Sequence, residues 1–325
     1  MQTRPPDLSD SDVATAVARG WALTGCVATY APLGYGSHHW QVVDSSGDRW
    51  FASVGMADDG GSSRRLTAAL GAAAEAHEAG LSCVVAPLRT AADDVVVPLG
   101  DRYALALYPH VGGRSGSFSD ALSREETVEL VGMLAELHDL PTSSLSLGHE
   151  SFEIPGRVKL EGSLTRLADA AHWTGGYGER VRQLLTRHPD LLTRALTEHD
   201  RLVEAAGPQA DRMVLTHGEP HPGNLLRSEY GLRLIDWDTA LLAPPERDVW
   251  LVDARSYGRG SAAYATLTGR RLQPELLARY DLAWSLADIA DFVETLRGAP
   301  EKTEDTGWSW DALEVTVNDL ARRDA

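Results

Sequence analysis

The chain is 325 residues long, 43% hydrophobic and 24% charged, a length and balance that allow a large buried core and fit a soluble globular protein. Its formal net charge of −17 argues against a nucleic-acid partner, which needs clustered Lys and Arg, and favours cationic ligands. No apolar run approaches the roughly 18 residues needed to span a bilayer, and the start Met1-Gln-Thr-Arg-Pro-Pro-Asp has no basic segment leading into an apolar one, so neither a membrane partner nor secretion is expected.

Cys26 and Cys83 lie in apolar runs and read as buried free thiols in a reducing, cytoplasmic compartment. The first ten residues are expected to fray. A short helix follows over Asp12–Gly20, with Ser11 or Asp12 as its cap. Cys26–Ala31, His38–Asp44 and Arg49–Val54 read as strands, with Ser45-Ser-Gly-Asp48 as a hairpin turn. Leu66–Ala79 is a helix stopped by Gly80. Cys83–Pro87, Val95–Pro98 and Tyr103–Tyr108 read as further strands. The period then changes: Ser123-Arg-Glu-Glu126 is a capping box opening a helix with Leu130, Val131, Leu134, Leu137 and His138 on one face. Residues 156–206 are helical, broken at Gly175-Gly-Tyr-Gly178 and His188-Pro189. Two short strands, Met213–Thr216 and Leu232–Ile235, flank a polar loop, and helices resume near Pro245. Strands therefore come first and helices later. This predicts an α+β protein with two lobes, a β-rich N-lobe over 1–110 and a helical C-lobe over 111–325, with a ligand cleft between them.

The polar loop carries the chemistry. It reads His217-Gly-Glu-Pro-His-Pro-Gly-Asn224, and Leu234-Ile-Asp-Trp-Asp238 follows. Glu219, Asn224 and Asp236 are oxygen donors at strand ends, a set suited to Mg²⁺, which takes one or two carboxylates beside phosphate oxygens and water. A kinase catalytic loop has the spacing His-x-Asp-x-x-x-x-Asn, followed by a metal-holding Asp. His217, Glu219, Asn224 and Asp236 fall in that order. With His221 and the Ile-Asp-Trp motif, the sequence resembles the aminoglycoside phosphotransferase and choline-kinase-like family; Pro244-Pro-Glu-Arg-Asp248 resembles it too.

That resemblance implies a protein-kinase-like fold, Mg²⁺ and ATP or GTP as cofactors, and transfer of a phosphoryl group to a hydroxyl. It implies Asn224 and Asp236 as metal ligands with Asp238 as a further candidate, Glu219 as the residue that orients or deprotonates the acceptor, and His217 as a brace for the loop. Pro32-Leu-Gly-Tyr-Gly-Ser37 would cradle phosphates on the backbone of Gly34, Gly36 and Ser37. The hinge Leu107-Tyr-Pro-His-Val111 would bond adenine through Tyr108 and Val111, since Pro109 has no N–H, and Leu226 and Ile235 would floor the base. Asp248 would tie the catalytic loop to a helix. Trp284, Asp288 and Asp291, on a C-terminal acidic helix, would hold a small, cationic acceptor, such as an antibiotic.

Two positions depart from the family pattern. Glu219 stands where Asp is usual, and Ser53 stands where the third strand should present a phosphate-binding lysine. Lysine occurs only at 159 and 302, so Glu75 on the next helix lacks its expected partner, and Arg64 and Arg65 are the nearby cations. The same two departures support an alternative, a pseudokinase that binds nucleotide without efficient turnover. A protein kinase is disfavoured because no activation segment follows Asp236.

Overall fold

A computed structural model describes residues 3–34, 36–57, 61–143, 145–299 and 302–324. Met1 and Gln2 of the start, and Tyr35 of the glycine-rich loop, lie outside the described residues. In chain order the elements are α1 (Asp10–Gly20), β1 (Val27–Ala31), β2 (His38–Val43), β3 (Arg49–Met56), α2 (Gly61–Glu78), β4 (Val97–Leu99), β5 (Tyr103–Pro109), β6 (Arg114–Ser115) and α3 (Arg124–His138). Then come α4 (Arg157–Leu164), α5 (Gly178–Arg187), α6 (Leu191–Ala206), β7 (Val214–Thr216), β8 (Leu225–Ser228), β9 (Gly231–Leu234), β10 (Leu241–Ala243), α7 (Glu246–Ser256), α8 (Arg259–Thr268), α9 (Pro274–Gly298) and α10 (Glu304–Asp324). The α+β class expected from the sequence holds. The chain divides into two compact units: Met1–Glu150 with Gln209–Leu272, and Ser151–Pro208 with Gln273–Ala325.

The first unit is built on a five-stranded antiparallel sheet of order β1-β2-β3-β5-β4. Side chains alternate between its faces. On one face Trp40, Val42, Ala52, Val54, Leu105 and Leu107 are buried in a core shared with Val13 and Val17 of α1. The other face carries His39 and Gln41 of β2, Phe51 and Ser53 of β3, and Ala106 and Tyr108 of β5, matched across the ladder as His39–Ser53–Ala106 and Gln41–Phe51–Tyr108. The β2–β3 turn closes on Asp44, whose carboxylate accepts the Ser46 and Asp48 N–H groups. Within the stretch expected to fray, Leu8 joins the core, and Ser9 caps α1 in a capping box with Asp12. The cap therefore sits earlier than Ser11 or Asp12, because burying Leu8 pulls the preceding segment onto the sheet.

Cys83–Pro87 is not a ladder strand. It is buried on all sides, which explains its unbroken apolar character, and it meets β9 through a single parallel bridge, Val84 to Leu234. Cys26 is only half-buried, Cys83 is buried, and both are free. In α3, Ser123 and Glu126 form the expected capping box. Strands β6, β8 and β9 form a second small sheet, and β7 pairs with β10; β6, β8 and β10 are two to four residues long, too short to show a period. The loop from His217 to Asn224 is thus held between β7 and β8, and β9 delivers the chain to Asp236.

The second unit is helical. Leu286, Ile289, Val293 and Leu296 of α9 pack with Leu184 of α5, Leu196 of α6, and Leu313 and Val317 of α10. Both lysines belong to it: Lys159 lies 3.8 Å from Glu294, and Lys302 lies over the Tyr177 ring. Among the described residues, no helix is long and apolar enough to cross a membrane.

Candidate active site

The catalytic-loop segment is fixed by hydrogen bonds from its own backbone and from α7. His217 is fully buried, and both ring nitrogens are engaged: Nε2 meets the Ile235 carbonyl at 2.9 Å, and Nδ1 accepts the Glu219 N–H at 3.1 Å. That pairing places the ring proton on Nε2. Burial also holds the imidazolium form down, so the ring is a neutral brace. Gly218 has φ +97° and lies under the Arg247 guanidinium, which leaves no room for a side chain. Arg247 donates to Thr216 Oγ1 and to the Thr239 carbonyl, each at 2.9 Å.

The Asp248 carboxylate is buried and accepts three hydrogen bonds: His217 N–H at 3.0 Å, Gly218 N–H at 2.6 Å, and His138 Nε2 at 3.0 Å. His138 Nδ1 in turn meets the Tyr264 hydroxyl at 2.7 Å. Burial pushes the Asp248 acid up, but its hydrogen bond from His138 and nearby positive charge outweigh this, and it lies below the usual carboxylate range. The sequence pointed to Asp248 as the tie between loop and helix. It did not show that His138, which sits on the apolar face of α3, completes the network.

Asp236 lies two residues beyond β9 rather than at its end, with φ +67°. Non-glycine residues rarely adopt this left-handed conformation, Asp and Asn being the tolerant exceptions, and it persists only where the surroundings impose it. Here they do. Ile235 N–H donates to the Asn224 carbonyl at 3.1 Å. On the other side Trp237 is fully buried, stacks edge-on against the His217 ring at 4.6 Å, and donates Nε1–H to the Leu234 carbonyl. Both neighbours being pinned, the turn brings Asp236 within electrostatic reach of Asp238 and Glu219. The Asp236 and Asp238 side chains remain open to solvent, yet protein crowds their other sides. That crowding and the repulsion among the three acids push Asp236 up to about 8 and Asp238 up to about 6.

Glu219 is half-buried, with its carboxylate 3.8 Å from His221 Nε2. His221 Nδ1 accepts the Gly223 N–H, and its ring lies against Phe118. Asn224 donates its amide Nδ2 to the Glu219 carbonyl at 3.1 Å, which leaves the amide oxygen as the free end. Among the described residues no three His, Cys, Asp or Glu side chains form a cation cage by themselves. Two mutually repelling carboxylates and one amide oxygen nevertheless fit Mg²⁺, which draws its remaining ligands from phosphate and water.

The sheet supplies the other wall of this unit. The Tyr108 phenol is raised above its ordinary range by burial and by the charges of Asp236 and Asp238, so its side chain stands near the acid pair. Its backbone belongs to the β3–β5 ladder. His110 N–H donates to the Arg49 carbonyl and the Leu107 carbonyl accepts from Leu88. By alternation Tyr108 faces β3, while Pro109 and Val111 turn the other way. The Tyr108 backbone is therefore turned toward β3 and the Pro109 carbonyl away from it. Gly34 and Gly36 have φ +66° and +85°, and Ser37 Oγ lies beside Gly55 of β3. Ser53 sits mid-strand between His39 and Ala106. Glu75 is half-buried on α2 and makes no hydrogen bond or close ion pair among the described residues; Arg64 and Arg65 are exposed. Leu226 and Ile235 are half-buried.

The expected acceptor residues lie on α9 in the second unit. Trp284 and Asp288 are half-buried there and Asp291 is exposed. Two other acids of that helix are already neutralised, Asp281 by Arg323 at 2.7 Å and Glu294 by Arg297 at 2.8 Å. A cavity of about 650 Å³ lies behind the hinge among His77, Val85, Arg89, His110 and Tyr230. It contains none of the catalytic-loop residues.

Comparison with known proteins agrees with this arrangement. The chain is 29% identical over 243 residues to protein StrN of Streptomyces griseus, covering 73% of this chain and 72% of that one. Its fold matches a spectinomycin phosphotransferase solved with ADP and spectinomycin, at a TM-score of 0.76 and 16% identity over 97% of this chain and 98% of that chain. It also matches a microcompartment-associated aminopropanol kinase, at a TM-score of 0.64 and 16% identity over 96% and 97% of the two chains. Residues 28–291 match the phosphotransferase enzyme family, a span that runs from β1 through the catalytic loop into α9, and the chain belongs to that family.

Proposed function

We propose that this phosphotransferase moves the γ-phosphoryl group of ATP or GTP to a hydroxyl of a small cationic molecule, an antibiotic or a related metabolite. In this reading 1–110 is the nucleotide lobe and 111–325 the lobe of catalysis and acceptor binding. The observation that carries it is Asp236, held in a left-handed turn by Trp237 and Asn224 where burial and repulsion from Asp238 and Glu219 oppose its ionisation. A site without a cation to hold has no physical reason to keep that repulsion.

Asp236, Asp238 and the Asn224 amide oxygen would hold Mg²⁺, which supplies charge neutralisation at the phosphates. Glu219 accepts the proton of the acceptor hydroxyl as its oxygen attacks phosphorus. His217 takes no proton, because both its nitrogens are occupied; it holds the Glu219 backbone and the Ile235 carbonyl in place. Gly34, Gly36 and Ser37 lay backbone N–H groups along the phosphates, and the Pro109 carbonyl and Val111 N–H bond the base. Trp284, Asp288 and Asp291 are the acceptor-binding residues of this reading, through an apolar platform and negative charge. Resistance or self-protection is the use it suggests, and the free thiols Cys26 and Cys83 suit a reducing cytoplasm.

The test is nucleotide turnover with Mg²⁺ and either ATP or GTP over a panel of spectinomycin, aminoglycosides, macrolides and amino alcohols, with the phosphorylated product identified by ³¹P NMR. Nucleotide binding with no phosphoryl transfer to any acceptor would favour the pseudokinase reading instead.

A further inference from the structure

We propose that His39 is the side chain that holds the nucleotide phosphates in place of the lysine that β3 lacks. The inference rests on the nucleotide-dependent reading above and adds a residue to it.

The first unit contains no lysine, and its β3 position facing the glycine-rich loop is Ser53. A serine hydroxyl is short and neutral, so the phosphates need a donor from elsewhere on the same face. His39 is the cross-strand partner of Ser53, which puts both side chains on one side of the sheet at neighbouring positions. Its ring lies 5.0 Å from the Phe51 ring. Phe51 pairs with Tyr108, and the Tyr108 phenol feels the charges of Asp236 and Asp238. His39 therefore shares the sheet face that carries Tyr108 toward the acids.

The ring also lies under the glycine-rich loop. A Cβ at Gly34 would sit 3.3 Å from His39 Nε2. A side chain at position 34 would be strained by its φ of +66° and would press on the imidazole beneath it. Among the described residues the other nitrogen, Nδ1, is buried with no hydrogen-bond partner. An orphaned buried polar atom is costly and requires an explanation. A ligand that brings its own oxygens beneath the loop provides one. Rotation of the ring exchanges the two nitrogens, and either presents an N–H to a phosphate oxygen. Burial holds the free imidazole down to about 4, so the empty site keeps a neutral donor rather than a buried charge.

The test is calorimetry on the full chain with Mg²⁺–ATP and, separately, adenosine, comparing wild type, His39→Gln and His39→Ala. Loss of a hydrogen bond to a charged phosphate should weaken Mg²⁺–ATP binding by about 10- to 100-fold in His39→Ala. His39→Gln, which keeps an N–H donor, should lose less, and adenosine should bind all three proteins alike. A selective shift of the His39 ¹⁵N resonances on adding ATP, absent with adenosine, is the spectroscopic counterpart. Equal ATP affinity in all three proteins overturns the inference alone. Equal losses for ATP and adenosine assign His39 to packing and overturn it as well. A wild type that binds neither ligand overturns the nucleotide-dependent reading, and the inference falls with it.

Discussion

Replacing Asp248 by Ala should unfasten the catalytic loop, and the structure sets the size of the effect. The carboxylate is fully buried and accepts from His217 N–H, Gly218 N–H and His138 Nε2 at 3.0, 2.6 and 3.0 Å. Its removal leaves three donors in a space closed to water. Each orphaned donor costs about 1–3 kcal/mol, offset in part by relief of a buried charge. A net loss of about 3–5 kcal/mol is expected, a large share of the 5–15 kcal/mol that a typical domain has. Asp248→Asn keeps one acceptor oxygen but turns an NH₂ toward a backbone donor, so a loss of roughly 1–3 kcal/mol should follow. The pH dependence has a definite sign. The folded-state acid is depressed, so its contribution is complete above the unfolded value of about 3.9 and disappears as pH falls through the lower folded value. Urea unfolding followed by tryptophan fluorescence measures the first effect, and phosphate release measures the accompanying loss, for which a 1 Å displacement of the loop corresponds to about 100-fold. An Asp248→Ala protein within about 1 kcal/mol of wild type, the range of an ordinary substitution, would refute the assignment of Asp248 as the anchor.

Asp236→Asn should abolish turnover while keeping the fold, since Asn tolerates the left-handed conformation as Asp does. Because the folded-state acid is raised to about 8, stability without divalent cation should fall as pH rises from about 4 toward 8; thermal melting in chelator should show that slope weakened in Asp236→Asn, and an unchanged slope would remove the repulsion argument. Glu219→Gln should lower kcat by about 10²- to 10⁴-fold with nucleotide affinity retained; an unchanged kcat would reduce Glu219 to a positioning role. Ser53→Lys should leave Mg²⁺–ATP affinity unchanged or weaker, because the ammonium would enter beside His39; a marked gain, with turnover rising in step, would point to a degenerate site. The KM of a cationic acceptor should rise with salt through charge screening; a salt-independent KM would free Asp288 and Asp291 from acceptor binding.

Much of the site was legible because it is local. The chemistry from His217 to Asp238 lies within 22 consecutive residues, and its spacing alone orders the acids and the amide. The capping box at Ser123 and the alternation of β2 and β3 are equally short-range signals. What the sequence hid is long-range. His138 reaches Asp248 from 110 residues away and is itself met by the Tyr264 hydroxyl, and nothing in an apolar helix face marks one histidine as a hydrogen-bond donor rather than filler. The left-handed turn at Asp236 is imposed by Trp237 and Asn224 acting together, so neither residue reveals it alone. Cys83–Pro87 misled because an apolar run records burial, not ladder pairing.

Parity decides which residues of β5 and β2 share a face. A one-residue step along a strand moves a side chain to the opposite face and turns its backbone groups to the opposite edge. In β5 that step makes Tyr108 a side chain near the acids and turns the Pro109 carbonyl to the opposite edge. In β2 it separates Trp40, fully buried in the core, from His39 on the face opposite. The sequence shows two adjacent histidines and a tryptophan at 38–40 without saying which faces the loop. Only the pairing of His39 with Ser53 identifies it, and that pairing connects the missing lysine to the orphaned imidazole. The absence of lysine from the first unit therefore does not by itself imply a dead site: in the proposed reading the same sheet face carries a donor at the neighbouring position, His39, beneath Gly34.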